Sequence, residues 1–382
     1  MTATAVAFRA VERFRAWHGT EPEGAWHAPG RVNLIGEHTD YNYGWVLPFA
    51  LDRGVAVAAR RRGDGLLDIG SLQAGGRASV PLAGLGPGGV TGWAAYPAGV
   101  AWAMREAGLP VGGASLVIDS DLPQGAGLSS SAAIECAVAI ALADLYGAEV
   151  PRKELAALAR RAENEMVGVP SGIMDQSASL LCEAGHALLL DCRSGESTPV
   201  PFDPAAAGLA LLVVDTGARH ALTDGRYAQR RAECEAAARA LRVPSLRDVT
   251  DPARTAAIGD PVLARRAHHV VSDNCRVRAA AGLLGVGDVA GLGPLLHDSH
   301  ASLRDDFEVS WPQADVAAEA AERAGALGAR MVGGGFGGSV IALTPADSAA
   351  VRAAVGAAYA GQGWAPPAFL DAPPSAGARR LL

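Results

Sequence analysis

The chain has 382 residues, of which 49% are hydrophobic and 19% charged, a composition and length that suit two packed globular domains. Its formal net charge of −7 leaves no chain-wide basic surface for a nucleic-acid backbone. Lys153 is the sole lysine among 33 basic residues, and neither G-x-x-x-x-G-K-[ST] nor V-A-I-K occurs, which excludes a P-loop and a protein-kinase active site.

Taken in chain order, Met1 to Trp17 mixes Arg9, Glu12, Arg13 and Arg15 into its apolar residues, reading as a first helix and not a secretory segment. Strands are predicted at 27–35, 46–50, 54–60 and 114–119, with helices at 93–106, 131–146 and 152–166. The most apolar run, Ala132 to Leu142, falls short of the roughly 20 residues a membrane span requires. Prolines 199, 201 and 204 break both periodicities, so a boundary is set near residue 200, between domains 1–200 and 201–382. Beyond it a buried strand is predicted at 209–215, helices at 224–241, 261–284 and 312–324, and a glycine cluster between two apolar runs across 330–343. The end from Ala365 reads as partly loop. The five cysteines are scattered without metal-ligand spacing and read as buried free thiols of a cytoplasmic protein. Neither a membrane nor nucleic acid is expected as a partner.

Four segments carry chemistry. Asp121-Leu-Pro-Gln-Gly-Ala-Gly-Leu-Ser-Ser-Ser-Ala-Ala follows a strand and runs into a helix. Gly125 and Gly127 allow close backbone approach, Ser129, Ser130 and Ser131 offer hydroxyls or a helix cap, and the free N–H groups of a helix start attract anions. Read alone, the segment is equally a Gly-rich turn with a serine cap. Pro29-Gly-Arg-Val-Asn-Leu-Ile-Gly-Glu-His-Thr-Asp-Tyr-Asn gathers Arg31, Glu37, His38 and Asp40, donors and acceptors that suit a polyhydroxylated ligand. Glu163 precedes Gly168-Val-Pro-Ser-Gly-Ile-Met-Asp-Gln, where Asp175 is either an ordinary first-turn acid or a proton acceptor. The fourth is Gly333-Gly-Gly-Phe-Gly-Gly.

In order and over most of the chain, these segments resemble the galactokinase branch of the superfamily that includes homoserine, mevalonate and phosphomevalonate kinases. The resemblance implies an α+β fold of two domains with the active site in the cleft between them. The N-terminal domain would be of the ribosomal protein S5 domain 2 type, with a left-handed βαβ crossover against the usual hand. It also implies that ATP phosphorylates the anomeric hydroxyl of galactose, the step that opens galactose catabolism. Asp175 inherits the catalytic role with Arg31 as its partner, and Ser131 and Glu163 the Mg²⁺ sites. Gly125, Gly127, Leu128, Ser129, Ser130 and Ser131 would cradle ATP, with Trp93 near the adenine. Glu37, His38, Asp40, Gly172 and Tyr227 would meet the sugar. Val332 and Ala126 depart from the commoner threonine and glycine of that pattern. A kinase for N-acetylgalactosamine, arabinose or galacturonate, and a non-catalytic sensor of galactose and ATP, stay open as alternatives. The expected assembly is a monomer or weak homo-oligomer.

Overall fold

Alternation of side chains across one long strand organises the first half of the molecule. The computed structural model describes residues 3–123, 125–219 and 225–382. It contains α1 (Ala3–His18), β1 (Gly24–Asn33), β2 (Trp45–Val46), β3 (Pro48–Arg62), β4 (Leu66–Ser71) and β5 (Gly76–Pro81). There follow α2 (Ala95–Glu106), β6 (Gly113–Ser120), α3 (Ser130–Tyr146), α4 (Arg152–Arg161), α5 (Met174–Leu181), β7 (His186–Asp191) and β8 (Ser197–Pro201). The remainder comprises β9 (Leu209–Asp215), α6 (Arg226–Ala240), α7 (Pro261–Gly285), α8 (Leu292–Asp305), α9 (Pro312–Arg323), β10 (Gly328–Val332), β11 (Ser339–Pro345), α10 (Ala349–Gly361), β12 (Ala368–Asp371) and β13 (Arg379–Arg380).

A six-stranded sheet runs β13-β1-β3-β6-β4-β5, antiparallel except for the parallel β4–β6 pair. On β3, Ala56 and Ala58 face α1, while Val55, Val57 and Ala59 face the main core beneath α2 and α3. That period of two is what a sheet covered on both faces requires. A second, antiparallel sheet runs β10-β11-β9-β12. Its Leu212, Val214, Val340 and Ala342 pack with α9 and α10, whereas Leu211, Val213, Ile341 and Leu343 join the main core. The two sheets therefore share one hydrophobic interior. A three-stranded sheet, β2-β7-β8, completes the architecture.

Several expectations need revision. Of the strand expected at 46–50, Val46 belongs to β2, while residues 48–50 run on into the strand expected at 54–60 as one continuous β3, because the exposed Asp52 and half-buried Arg53 interrupt the apolar pattern without ending the strand. The helix expected to reach Met166 changes at Ala162 into a π-helical turn, Ala162–Val167, of the kind often found at functional sites. Strands β4, β5, β7 and β8 and helices α8 and α10 were not foreseen. The start of the helix expected at Asp224 lies outside the described residues. All five cysteines are free, but Cys275 is exposed and Cys192 half-buried, since the faces of α7 and the turn after β7 that carry them are not enclosed.

Phe49 on β3 is fully buried and meets Phe202 edge to face, with ring centroids 5.4 Å apart. Truncation to alanine leaves a cavity that the surrounding sheet cannot close. Phe49→Ala is expected to lose about 3–5 kcal/mol, read as a lowered urea midpoint with retained far-ultraviolet dichroism.

Candidate active site

The chain's bulge between Pro29 and Arg31, where β1 slips in register against β3, re-aims Arg31 out of the sheet. Gly30 makes this possible: a Cβ there would meet Leu128 O at 2.7 Å and Leu122 at 2.6 Å. The strand thus lies directly against the Gly125–Ser131 loop, and Arg31 N donates to Leu128 O at 3.2 Å. The Arg31 guanidinium forks onto Asp175, Nε to Oδ1 at 2.8 Å and Nη2 to Oδ2 at 2.9 Å, while Nη1 donates to Gly127 O at 2.7 Å. Ser129, in the left-handed region at φ 56°, donates its hydroxyl to Asp175 Oδ2. Ser129 therefore does not cap α3, and the helix's opening N–H groups have no side-chain cap. Arg219 lies over the same loop, its Nη1 3.1 Å from where a Gly125 Cβ would stand.

A cavity of about 510 Å³ opens over this loop. Every candidate residue named from the sequence lines it except Trp93. Trp93 instead sits half-buried in the short turn before α2, packed on the main core. The stretch that pointed to Tyr227 includes residues 220–224, and the phosphate loop includes Gln124; both lie outside the described residues. Tyr227 itself stacks obliquely on His38 and edge-on to Tyr41, with centroids 5.4 and 5.5 Å apart.

In the Glu37–Asp40 loop, Glu37 is 2% exposed, accepts from Gly333 N at 2.8 Å and lies 3.4 Å from Arg330 Nη2. Arg330 is fully buried and also donates to Asn33 O and Leu34 O, both at 3.0 Å. Sequence reasoning missed this residue, although a lone arginine in the apolar run before the glycine cluster marks a buried partner. The cluster itself folds onto the Gly125–Ser131 loop, where a Gly333 Cβ would stand 3.3 Å from Gly127 O. Ala126, 1% exposed, and the fully buried Val332 both pack in the main core, so the two departures from the family pattern serve as packing. Burial, with His269 and Arg230 nearby, lowers His38 to about 3, making it a neutral imidazole bonded to the Tyr41 hydroxyl at 2.9 Å. Burial, reinforced by Asp175, raises Asp40 to about 6. Gly172 makes room for that carboxyl, for a Cβ would stand 1.7 Å from Asp40 Oδ2.

Glu163, 4% exposed on the π-helical turn, accepts at Oε2 from Ser171 Oγ at 2.6 Å and Gln176 Nε2 at 2.9 Å, and it hydrogen-bonds Ser131. Burial pushes its carboxyl above the usual range, an effect a bound cation would oppose. Ser131 and Glu163 converge as oxygen donors, which fits magnesium. Among the described residues no group of three or more His, Cys, Asp or Glu side chains is arranged for a metal. A cation here would complete its shell with substrate phosphate and water.

An uncapped helix start beside a carboxylate held by an arginine fork, in an α+β fold of three sheets, suits a kinase of small molecules. The family models agree: GHMP kinases N terminal domain over residues 95–183, galactokinase galactose-binding signature over 12–61 and GHMP kinases C terminal over 279–361. The chain is 50% identical to the galactokinase of Streptomyces coelicolor across 99% of each, and 51% identical to that of Mycobacterium tuberculosis across 87% of this chain and 93% of the other. The crystal structure of Lactococcus lactis galactokinase complexed with galactose superposes with a TM-score of 0.92 at 35% identity, covering 98% of this chain and 99% of that one. A mevalonate kinase of Methanococcus jannaschii, 17% identical with a TM-score of 0.65 over 94% and 98% of the two chains, shares the fold. The chain belongs to the galactokinase family and is an ATP-dependent sugar kinase. No helix among the described residues is long and apolar enough to cross a membrane.

The raised Asp40 carboxyl binds its proton more tightly folded than unfolded. Its contribution to stability is present in full below about pH 4 and is lost as pH rises through about 6. Asp40→Asn carries no such loss. The variant should gain stability over the parent by on the order of 1 kcal/mol between pH 5 and 7.5, read by urea denaturation at both values. A pH-independent difference would contradict the shift.

Proposed function

We propose that the protein transfers the γ-phosphate of ATP to the C1 hydroxyl of α-D-galactose, giving galactose 1-phosphate and ADP, with residues 1–200 and 201–382 as its two domains and the cytoplasm as its site of action. One observation carries this reading: the Glu37–Asp40 loop and the uncapped start of α3 open onto a single cavity, with the Arg31–Asp175 pair between them.

In the proposed reaction the anomeric oxygen bonds to the γ-phosphorus, the bond from that phosphorus to the β–γ bridging oxygen breaks, and Asp175 takes the hydroxyl proton. Three donors already occupy the Asp175 carboxylate, two from Arg31 and one from Ser129. With about four lone-pair sites, it keeps one for the sugar. Phosphoryl transfer is loose in most analyses, so positioning and charge stabilisation supply most of the acceleration. The N–H groups opening α3 and the loop of Gly125, Gly127, Leu128, Ser129 and Ser130 would receive the phosphates in place of a lysine. Trp93 is assigned to the adenine side. Mg²⁺, held by Ser131 and Glu163, would supply further neutralisation of phosphate charge. Glu37, His38, Asp40, Gly172 and Tyr227 would surround the sugar, with Asp40 reading the C4 hydroxyl that separates galactose from glucose.

Asp175→Asn is expected to lose roughly 10²–10⁴ in kcat with little change in sugar KM. Substantial retained turnover would remove Asp175 as the base. Arg31→Lys should also be damaging because a point charge cannot reproduce the planar fork. ADP release with magnesium-ATP, across galactose, glucose, N-acetylgalactosamine, arabinose and galacturonate, tests the substrate. Galactose-dependent turnover with phosphate at C1 is expected, and a preference for another sugar would refute the assignment. The galactose-to-glucose ratio of kcat/KM, expected to reach roughly 10⁴ for a site that hydrogen-bonds the distinguishing hydroxyl, should collapse in Asp40→Ala and fall in Gly172→Ala.

A further inference from the structure

Behind the wall of the cavity, Gln176 joins two buried carboxyl groups. It follows Asp175 on α5, and its Nε2 donates to Glu163 Oε2 at 2.9 Å and to Glu135 Oε2 at 3.0 Å. Glu135 is fully buried, one helical turn beyond Ser131 on α3. It does not line the cavity, and among the described residues its Oε1 has no hydrogen-bond partner. Gln176 Oε1 has none either. Both protons of the Gln176 amide are thus committed to carboxyl oxygens, and the reversed amide would set oxygen against oxygen at both ends. With two N–H directions fixed, the amide plane is fixed, and so is the face of Glu163 that Gln176 and Ser171 hold.

We infer that Glu135 is a positioning residue which, through the Gln176 amide, orients Glu163 toward the cation at the phosphate site. This rests on the reading of Glu163 as a magnesium ligand. The role requires an acceptor at Glu135, which glutamine supplies and methionine does not. Partners of this indirect kind typically contribute 10–100-fold to metal affinity.

Mn²⁺ binding to the full-length protein with saturating ADP, followed by the electron-paramagnetic signal of free Mn²⁺, provides a readout apart from turnover. Glu135→Met should weaken Mn²⁺ by roughly tenfold or more and raise the Mg²⁺ concentration needed for half-maximal turnover by a similar factor, with galactose KM unchanged. Glu135→Gln should stay within about threefold of the parent in both. If Glu135→Met does not fold, Glu135→Gln still decides: a tenfold loss there overturns the acceptor role. A folded Glu135→Met with parental Mn²⁺ affinity overturns the positioning role while Glu163→Ala still loses the metal. Parental affinity in Glu163→Ala itself removes the ligand reading and this proposal with it.

Discussion

The ion pair between Arg31 and Asp175 is the constraint around which the candidate active site is arranged. Arg31 is almost wholly buried, and Asp175 is about a quarter exposed toward the cavity. Burying such a pair is tolerable only if good geometry and further hydrogen bonds compensate for lost hydration. Here Nε, Nη1 and Nη2 all find oxygen. Together those bonds impose conditions on three elements: a bulge in β1 that aims the guanidinium, a carbonyl of the Gly125–Ser131 loop turned inward at Gly127, and α5 starting where Asp175 can accept twice. Losing any one leaves a buried charge short of a partner, so the three elements are specified together.

The second half of the molecule is tied to the same point through glycines. Gly333 has no Cβ to crowd Gly127 O, and its N–H is delivered to Glu37. Glu37 Oε1 then accepts from that backbone donor and is approached by the buried Arg330. Behind it, His269 bridges Glu37 O and the Ser302 hydroxyl, and Asp273 pairs with Arg276. The Glu37–Asp40 loop thus reaches the helical layer through polar groups inside a hydrophobic interior, where leaving one unpaired costs about 1–3 kcal/mol. The position of the loop is fixed by α7 and β10 as much as by its own sequence.

Much of this was legible before any coordinates. The strand at Leu209–Asp215 has the bounds that its apolar run implied, and α3 and α7 differ from expectation by a residue at one end. Long, strongly patterned runs declare themselves because burial and periodicity agree. The cavity gathers residues from four separated motifs since each motif pairs backbone-exposing glycines with side chains that need a partner. What stayed hidden has a common cause. Edge strands β5 and β8 are short and half exposed, so they carry little pattern. Gln176, Arg330 and Glu135 are polar residues whose partners lie far along the chain, and nothing local reports such a pairing. Glu135 lies inside the apolar run Ala132 to Leu142, where no neighbouring residue marks its partner.

A site proposed to bind polyphosphate without lysine shifts where sensitivity lies. A lysine is a mobile point charge and tolerates small displacements of its backbone, whereas helix N–H groups act over short distances and in fixed directions. The start of α3 must therefore be held rigidly, and it is held by Ser129 in a left-handed conformation that a non-glycine residue adopts only under outside constraint. That constraint is the hydroxyl bond to Asp175. The group proposed to take the sugar's proton is thus the group that stabilises the shape of the anion site. Any shift in the one is felt at the other, so the phosphate cradle and the acceptor hydroxyl's partner keep a common register.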